Sequence, residues 1–432
     1  MLGICRKVPT NKNFQFSPNT SKIAAMSNTS KPGVIYVTRD IERALGTRPS
    51  AKYHIVANST PYAETIKKQY PDFVHLVESQ RELLSTLELL KEEKVLELVN
   101  KLAAGIVVFK NNIQIEAVAK ENGWKLWNPA AELAEKIENK VSQIEFLGSV
   151  GKEYLPETKI DKASNIKWTG EAHVLQWAHG HTGDSTILVN SEKILADLAS
   201  KFPDRLARVS KFIKGPSFTL NVVLNGTTTL LENISYQITG ALPFTDNIFA
   251  TVGNDWSLPH SLLDENELAL IGKMGHAITE KLRNAGWKGL FGIDIIRDDE
   301  LHQIHLIEIN ARQPASTTFE SLLQQENRNH GVVGDTTFEA NLNALLGDCN
   351  TASIIPVNDG AQIIQRITKK TISISEDVPG SLELAGYQTV SYGNNTEYNS
   401  DLLRIQSTLG IMETHNKFNK RGKEIVDILT SN

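Results

Sequence analysis

Residues 289–312 read GLFGIDIIRDDELHQIHLIEINAR, two runs of branched apolar residues on either side of the acidic turn Asp298-Asp299. That composition predicts two long β-strands, 289–297 and 302–310, paired as a hairpin. In strand alternation Glu308 and Asn310 point to one face while Ile307 and Ile309 point to the other, and Asp294 on the partner strand can project to the same polar side. Two carboxylates and an amide oxygen gathered in this way suit Mg²⁺, with Mn²⁺ as a substitute, because such an ion takes few protein oxygens and bridges substrate phosphates. Arg312 keeps the same phase two residues further on and offers a planar fork suited to phosphate or carboxylate. The competing reading is a solvated hairpin face whose polar residues share no role.

Working outward toward the N-terminus, residues 33–38, 53–57, 73–77, 105–109 and 124–127 read as short β-branched strands. Helical stretches at 61–70, 80–103 and 112–122 separate them. Strict alternation of this kind predicts an α/β, doubly wound parallel sheet. Its first turn, Val37-Thr38-Arg39-Asp40, carries no dinucleotide-binding glycine fingerprint, and no P-loop motif occurs anywhere in the chain. Asn128 and Pro129 read as the cap and first turn of a helix running to 147 with an apolar stripe of Leu133, Ile137, Val141 and Ile144. Lys140 falls on the buried side of that helix, so either its apolar stem snorkels or its ammonium faces a phosphate.

After residue 165 the character becomes antiparallel and the class α+β. Strands at 173–177 and 186–189 flank a Gly-rich turn, His179-Gly180-His181-Thr182-Gly183-Asp184-Ser185. A helix at 191–201, strands at 206–213, 217–224 and 227–238, and a helix at 264–285 lead to the opening hairpin. From residue 351 a mixed, β-containing segment runs to the end, punctuated by Pro379-Gly380 and Gly393-Asn394. The predicted organisation is a tail (1–30), an α/β domain (31–150), a second domain (151–350) and a C-terminal segment (351–432).

A chain of 432 residues exceeds what one core usually supports, so two or three packed subdomains are expected. With 45 Lys and Arg against 50 Asp and Glu, and no basic run, nothing favours a nucleic-acid or membrane partner; small-molecule substrates are expected, with a homo-oligomer as an open option. Two cysteines, Cys5 and Cys349, make no disulfide framework and suit the cytoplasm. Residues 1–30 contain no acidic residue and are rich in Ser, Asn and Thr, a composition that reads as a disordered tail or as an organelle-targeting peptide, with Met26 as an alternative start.

The order and spacing of Asp294, Glu308, Asn310 and Arg312, together with the Gly-rich turn, resemble the ATP-grasp ligases. The resemblance implies an ATP-grasp domain at 151–350 preceded by a parallel-sheet (pre-ATP-grasp) domain. It implies ATP and Mg²⁺ as cofactors, with Asp294, Glu308 and Asn310 as the metal ligands. Gly180, Thr182, Gly183 and Ser185 of the Gly-rich hairpin would fold over the phosphates. The stretch 208–215 would be a hinge that meets adenine through backbone groups around Lys211, Phe212 and Ile213, and Lys140 would be the first phosphate-binding lysine. The implied reaction joins a carboxylic acid to an amine or similar nucleophile through an acyl phosphate, which Arg312 would stabilise. One departure stands out: the family's second lysine corresponds here to Gln176, which can contact a phosphate or the adenine edge but carries no charge. That substitution supports an alternative, an ATP-binding regulatory or scaffolding protein that has lost ligase chemistry. Of the remaining polar groups, His302 and His305 face opposite sides of a strand, His179 and His181 suit hydrogen bonds to phosphate or, as the alternative, a small metal site, and Gly253-Asn254-Asp255-Trp256 reads as a loop able to line an acceptor pocket.

Overall fold

The computed structural model describes residues 33–79, 82–178, 186–231, 233–392 and 395–431. The tail 1–30 and the Gly-rich turn, with His179, Gly180, His181, Thr182, Gly183 and Ser185, lie outside the described residues, as do Gly393 and Asn394.

Near the N-terminus the strands Val34–Val37, Tyr53–Asn58, Val74–Val77 and Gly105–Val108 pair in parallel, in the spatial order third, second, first, fourth. They are apolar on both faces because both faces are covered. Val34 and Tyr36 pack with Ile66 and Phe338 on one side, and Ile35 and Val37 with Leu89, Val95 and Val118 on the other. The order reverses between the first and fourth strands, so the segments 38–43 and 109–111 open onto a crevice at a topological switch point. The fifth strand expected at 124–127 is reduced to a single bridge between Ile106 and Leu126.

Two expected helices are broken, each by a side chain that competes for backbone N–H groups. In 80–103 the Ser85–Glu88 capping box starts the short helix Thr86–Leu89, and a second begins at Glu93. In 128–147 the Asn139 Oδ1 accepts from the N–H groups of Val141 and Ser142 at 3.0 and 3.2 Å, which ends the helix Ala131–Glu138 and starts Ser142–Leu147. Lys140 therefore sits in the break between helices rather than on a helical stripe. Asn128 is not the cap; its side chain bonds both backbone groups of Val108.

A four-stranded antiparallel sheet follows, in the order Thr158–Lys162, Leu206–Lys211, His173–Trp177, Thr186–Val189. One of its faces packs Leu175, Trp177, Ala207 and Val209 against Leu195 of the helix Glu192–Lys201.

The largest sheet has nine strands among the described residues. Its main path runs Ile304–Asn310, Gly289–Arg297, Ser217–Asn225, Ile234–Thr239, Thr251–Asp255, Ala361–Arg366, Asp401–Ser407, Gln388–Ser391, with Thr228–Leu230 on the side of Ser217–Asn225. The expected strand 227–238 is thus two strands, and the sheet runs unbroken across residue 351. Residues 253–256 are not a pocket-lining loop. Thr251–Asp255 is an inner strand, and the Asp255 carboxylate accepts from the N–H groups of Ile411 and Met412 and of Ser257 and Leu258, tying the C-terminal segment to the sheet. His302 is in the hairpin turn at φ +53°, so the strand starts at Ile304. Among the described residues no helix is long and apolar enough to cross a membrane.

The helix Thr317–Asn329 is fastened to this sheet by a buried carboxylate. Glu320 accepts from Asn221 (2.9 Å) and Trp256 (3.2 Å) on the sheet and from Thr337 (2.6 Å) at the start of the next helix, Thr337–Leu346. Burial outweighs these bonds and pushes its carboxyl up from 4.5 to about 6. A raised folded pKa favours the protonated form, so the stability it contributes is present below pH 4.5 and lost as pH rises through about 6. Relative to Glu320→Gln, which does not titrate, the wild-type stability should fall by about 2 kcal/mol across that interval. Denaturant unfolding of both proteins at a series of pH values checks this; a pH-independent difference would contradict it.

Candidate functional site

The hairpin Gly289–Arg297 and Ile304–Asn310 does not keep a simple alternation. Its pairing slips by one residue between Asp294 and Ile295, so that Asp294 faces Glu308 while Ile295 faces Leu306. The bulge reverses the phase of one strand. Leu306 and Ile309, an odd number of residues apart, both enter the core with Ile293, Ile295 and Ile304, while Glu308 and Asn310 turn to the other face with Asp294. Opposite Asn310 stands Gly292, where a Cβ would meet Pro314 at 2.8 Å; the missing side chain lets the segment after Arg312 fold close over the hairpin.

On this face Asp294 accepts from Thr219 Oγ1 at 2.7 Å and from Asn310 Nδ2 at 2.8 Å. Gln237 donates in turn to Thr219 at 2.5 Å, which completes a chain of polar groups across four neighbouring strands. Removal from water pushes the Asp294 carboxyl up, against the opposing pull of the two hydrogen bonds, Arg312 and Lys140. Asn310 spends amide hydrogen on Asp294, which leaves its carbonyl oxygen as the acceptor end.

Three cations surround the acids. Lys140, held by an N–H bond to the Ala178 carbonyl at the end of the strand His173–Trp177, forms an ion pair with Glu308. Burial, with Arg208 and Arg312 nearby, pushes the Lys140 ammonium down to about 8. Arg312 is paired with Glu138, and Lys110 reaches the other oxygen of the same carboxylate at 2.5 Å. Burial raises the Glu138 pKa, but those two cations outweigh it and hold the group below the usual carboxylate value. The residue after Arg312 anchors the site to the N-terminal domain: Gln313 accepts from Tyr36 Oη and donates to the Arg43 carbonyl, both at 2.8 Å.

Asp294, Glu308, Asn310, Lys140 and Arg312 thus come together as the sequence suggests. Gln176 is buried, donates to Thr186 Oγ1 at 3.3 Å and lies across the ladder from Arg208. In the hinge, the N–H groups of Lys211 and Phe212 are engaged by the carbonyls of Glu157 and Ala172, so they are not free to meet a base; Lys211 is exposed and Ile213 buried. Sequence reasoning missed Thr219, Glu138, Lys110 and Arg208. Only Arg208 left a signal, an arginine between Ala207 and Val209 in the middle of a strand.

Among the described residues no group of three or more His, Cys, Asp or Glu gathers to hold a metal. Asp294, Glu308 and the Asn310 oxygen make a smaller, all-oxygen set. It fits an ion that keeps most of its waters, such as Mg²⁺, better than one requiring a full protein cage.

A family model for the ATP-grasp domain matches residues 136–316. A search of curated proteins by sequence finds no match. Similar solved structures include carboxyaminoimidazole ribonucleotide synthase from Aspergillus clavatus complexed with ATP, at 13% identity and TM-score 0.62, covering 93% of this chain and 99% of that one. Another is N5-carboxyaminoimidazole synthetase from Staphylococcus aureus complexed with ADP, at 12% identity and TM-score 0.61, covering 93% and 98%. A third is L-amino acid ligase from Bacillus licheniformis, at 12% identity and TM-score 0.60, covering 92% and 96%. Identities this low establish the fold alone, and that fold extends over nearly the whole chain. Residues 136–316 are an ATP-grasp domain, set within a fold that the chain shares with these structures over nearly its whole length.

Proposed function

We propose that the protein is an ATP- and Mg²⁺-dependent ligase that joins a carboxylic acid to an amine or similar nucleophile through an acyl phosphate. The observation that carries this reading is the Asp294–Glu308 pair, opposed on adjoining strands with Asn310 beside it and Lys140 and Arg312 next to it. A protein that only binds ATP has little need of two carboxylates converging on one face among cations. That counts against the regulatory or scaffolding alternative. The similar structures, two of them solved with ATP or ADP and the third described as an amino acid ligase, agree with a ligase reading.

In this reading Asp294, Glu308 and Asn310 hold Mg²⁺, which when bound screens the charge of the β- and γ-phosphates. The protein's own contribution is positioning and electrostatics. Lys140 exchanges Glu308 for phosphate oxygen. Arg312, held in place by Glu138, directs its remaining N–H groups to the carboxylate of the acid and to the acyl phosphate formed from it. The Thr219–Asp294–Asn310 chain fixes the side chains before substrate arrives. The acid substrate enters by the crevice lined by Arg43, Tyr62, Thr318, Gln362 and Arg404, where the switch point of the N-terminal sheet meets the C-terminal strands. Arg43 keeps a buried Nη1 without a hydrogen-bond partner among the described residues, which suits an anionic substrate.

Hydroxylamine traps acyl phosphates as hydroxamates. Incubation with ATP, Mg²⁺ and hydroxylamine across amino acids, short peptides and small organic acids should yield a hydroxamate with one acid class; ATP binding with no hydroxamate from any acid would favour the non-catalytic alternative. Glu308→Gln keeps the shape of the side chain and removes its charge. It should lower ATP turnover on the order of a hundredfold or more while the protein still melts cooperatively. Unchanged ATP consumption in that variant would remove Glu308 from the metal site.

A further inference from the structure

Around the hairpin face the other cations are paired: Lys140 with Glu308, and Arg312 and Lys110 both with Glu138. Arg208 breaks the pattern. It lies in the strand Leu206–Lys211 at 1% relative exposure, and its Nε and Nη1 have no hydrogen-bond partner among the described residues. Nor is it stacked on the neighbouring indole, since the guanidinium over Trp177 belongs to Arg205. Burial alone accounts for the lowering of its pKa, to about 10, with no carboxylate among the causes. A buried cation without a counter-charge is strongly unfavourable, and a bound anion relieves that cost.

The direction in which Arg208 faces follows from the strand. Ala207 and Val209 enter the small core with Leu175, Trp177 and Leu195, so Arg208 and Ser210 take the opposite face, with Gln176 directly across the ladder. Lys140 is at hand there. Its N–H bonds to Ala178, next to the end of the strand that carries Gln176, and its charge lies within interacting distance of Arg208. Two cations so placed repel each other unless something negative stands against both. A guanidinium also presents several N–H donors in a plane, which matches the oxygens of a phosphate.

We propose that Arg208 binds the phosphates of the nucleotide, supplying from the hinge strand the second cation that Gln176 lacks. This rests on the nucleotide reading above. The site has moved its charge one position sideways across a ladder rather than lost it, so a neutral Gln176 is no sign of a disabled site.

Calorimetry on the full chain tests this, with Mg²⁺ and a non-hydrolysable ATP analogue as one probe and adenosine, which has no phosphate, as the other. Arg208→Met keeps the apolar stem and removes the charge. It should weaken the analogue on the order of tenfold to a hundredfold. Adenosine affinity should not change, and the melting temperature of the protein without nucleotide should stay level or rise. Adding Gln176→Lys to Arg208→Met should restore part of the lost affinity. Analogue binding unchanged in Arg208→Met, an equal loss for adenosine and analogue, a lowered melting temperature, or a double variant no tighter than the single one would each overturn the proposal. Wild-type protein that fails to bind the analogue would overturn the nucleotide reading itself and the inference with it.

Discussion

Between Asp294 and Ile295 the two strands of the hairpin slip by one residue, and the placement of the site depends on that slip. Without it, Leu306, Glu308 and Asn310 would share a face, and the strand would have to bury a carboxylate beside a leucine or expose the leucine beside the acids. With it, Leu306 and Ile309 join Ile293 and Ile295 in the main core while Glu308 and Asn310 stand with Asp294. The hydrophobic driving force for the hairpin and the polar chemistry of its far face are thereby satisfied by the same few residues. Moving the bulge would trade one for the other, because the side-chain period of a strand is two.

Electrostatics then organises what surrounds the hairpin. Charges at this depth are costly unless paired, and the structure pairs Lys140 with Glu308 and both Arg312 and Lys110 with Glu138. These pairs hold long, flexible side chains in one arrangement, so that little reorganisation is left for the reaction in the proposed reading. They also join parts of the chain that are distant in sequence. Lys110 follows the last parallel strand, Glu138 ends a helix and Lys140 sits in the break after it, while Arg312 leaves the hairpin. A single cluster of charge thus locks the N-terminal sheet to the large sheet.

The same coupling recurs through hydrogen bonds without ion pairs. Gln313 bonds Tyr36 and the Arg43 carbonyl, which brings the end of the hairpin to the switch point of the parallel sheet. Glu320, one helical turn into the next helix, joins that helix to Asn221 and Trp256 of the large sheet. At the far side Asp255 takes the N–H groups of Ile411 and Met412, so the C-terminal residues complete the sheet. The crevice between the Arg43 turn and Arg404 is a product of all three attachments.

Much of this was legible in the residues alone. Alternating β-branched runs and helices announced the parallel sheet, because strands buried on both faces must be apolar throughout. Glu308 and Asn310 on one strand, with Arg312 just beyond its end and Asp294 on its partner, announced the polar face, because strand geometry is local and repeats every two residues. Periodicity could not foresee the break at Asn139, where a side chain takes the backbone N–H groups of Val141 and Ser142 and so turns Lys140 out of a helix and toward Glu308. Nor could it foresee Glu138 and Lys110 as partners of Arg312, or Arg208 beside Lys140, since these residues lie dozens to more than a hundred positions apart or on separate sheets. The sequence by itself determined which segments become strands and helices and which carry the acids, since propensity and alternation act over a few residues. Only the tertiary structure decided which cation meets which carboxylate and which is left without one, because electrostatic pairing depends on distances through space that the order of residues does not encode.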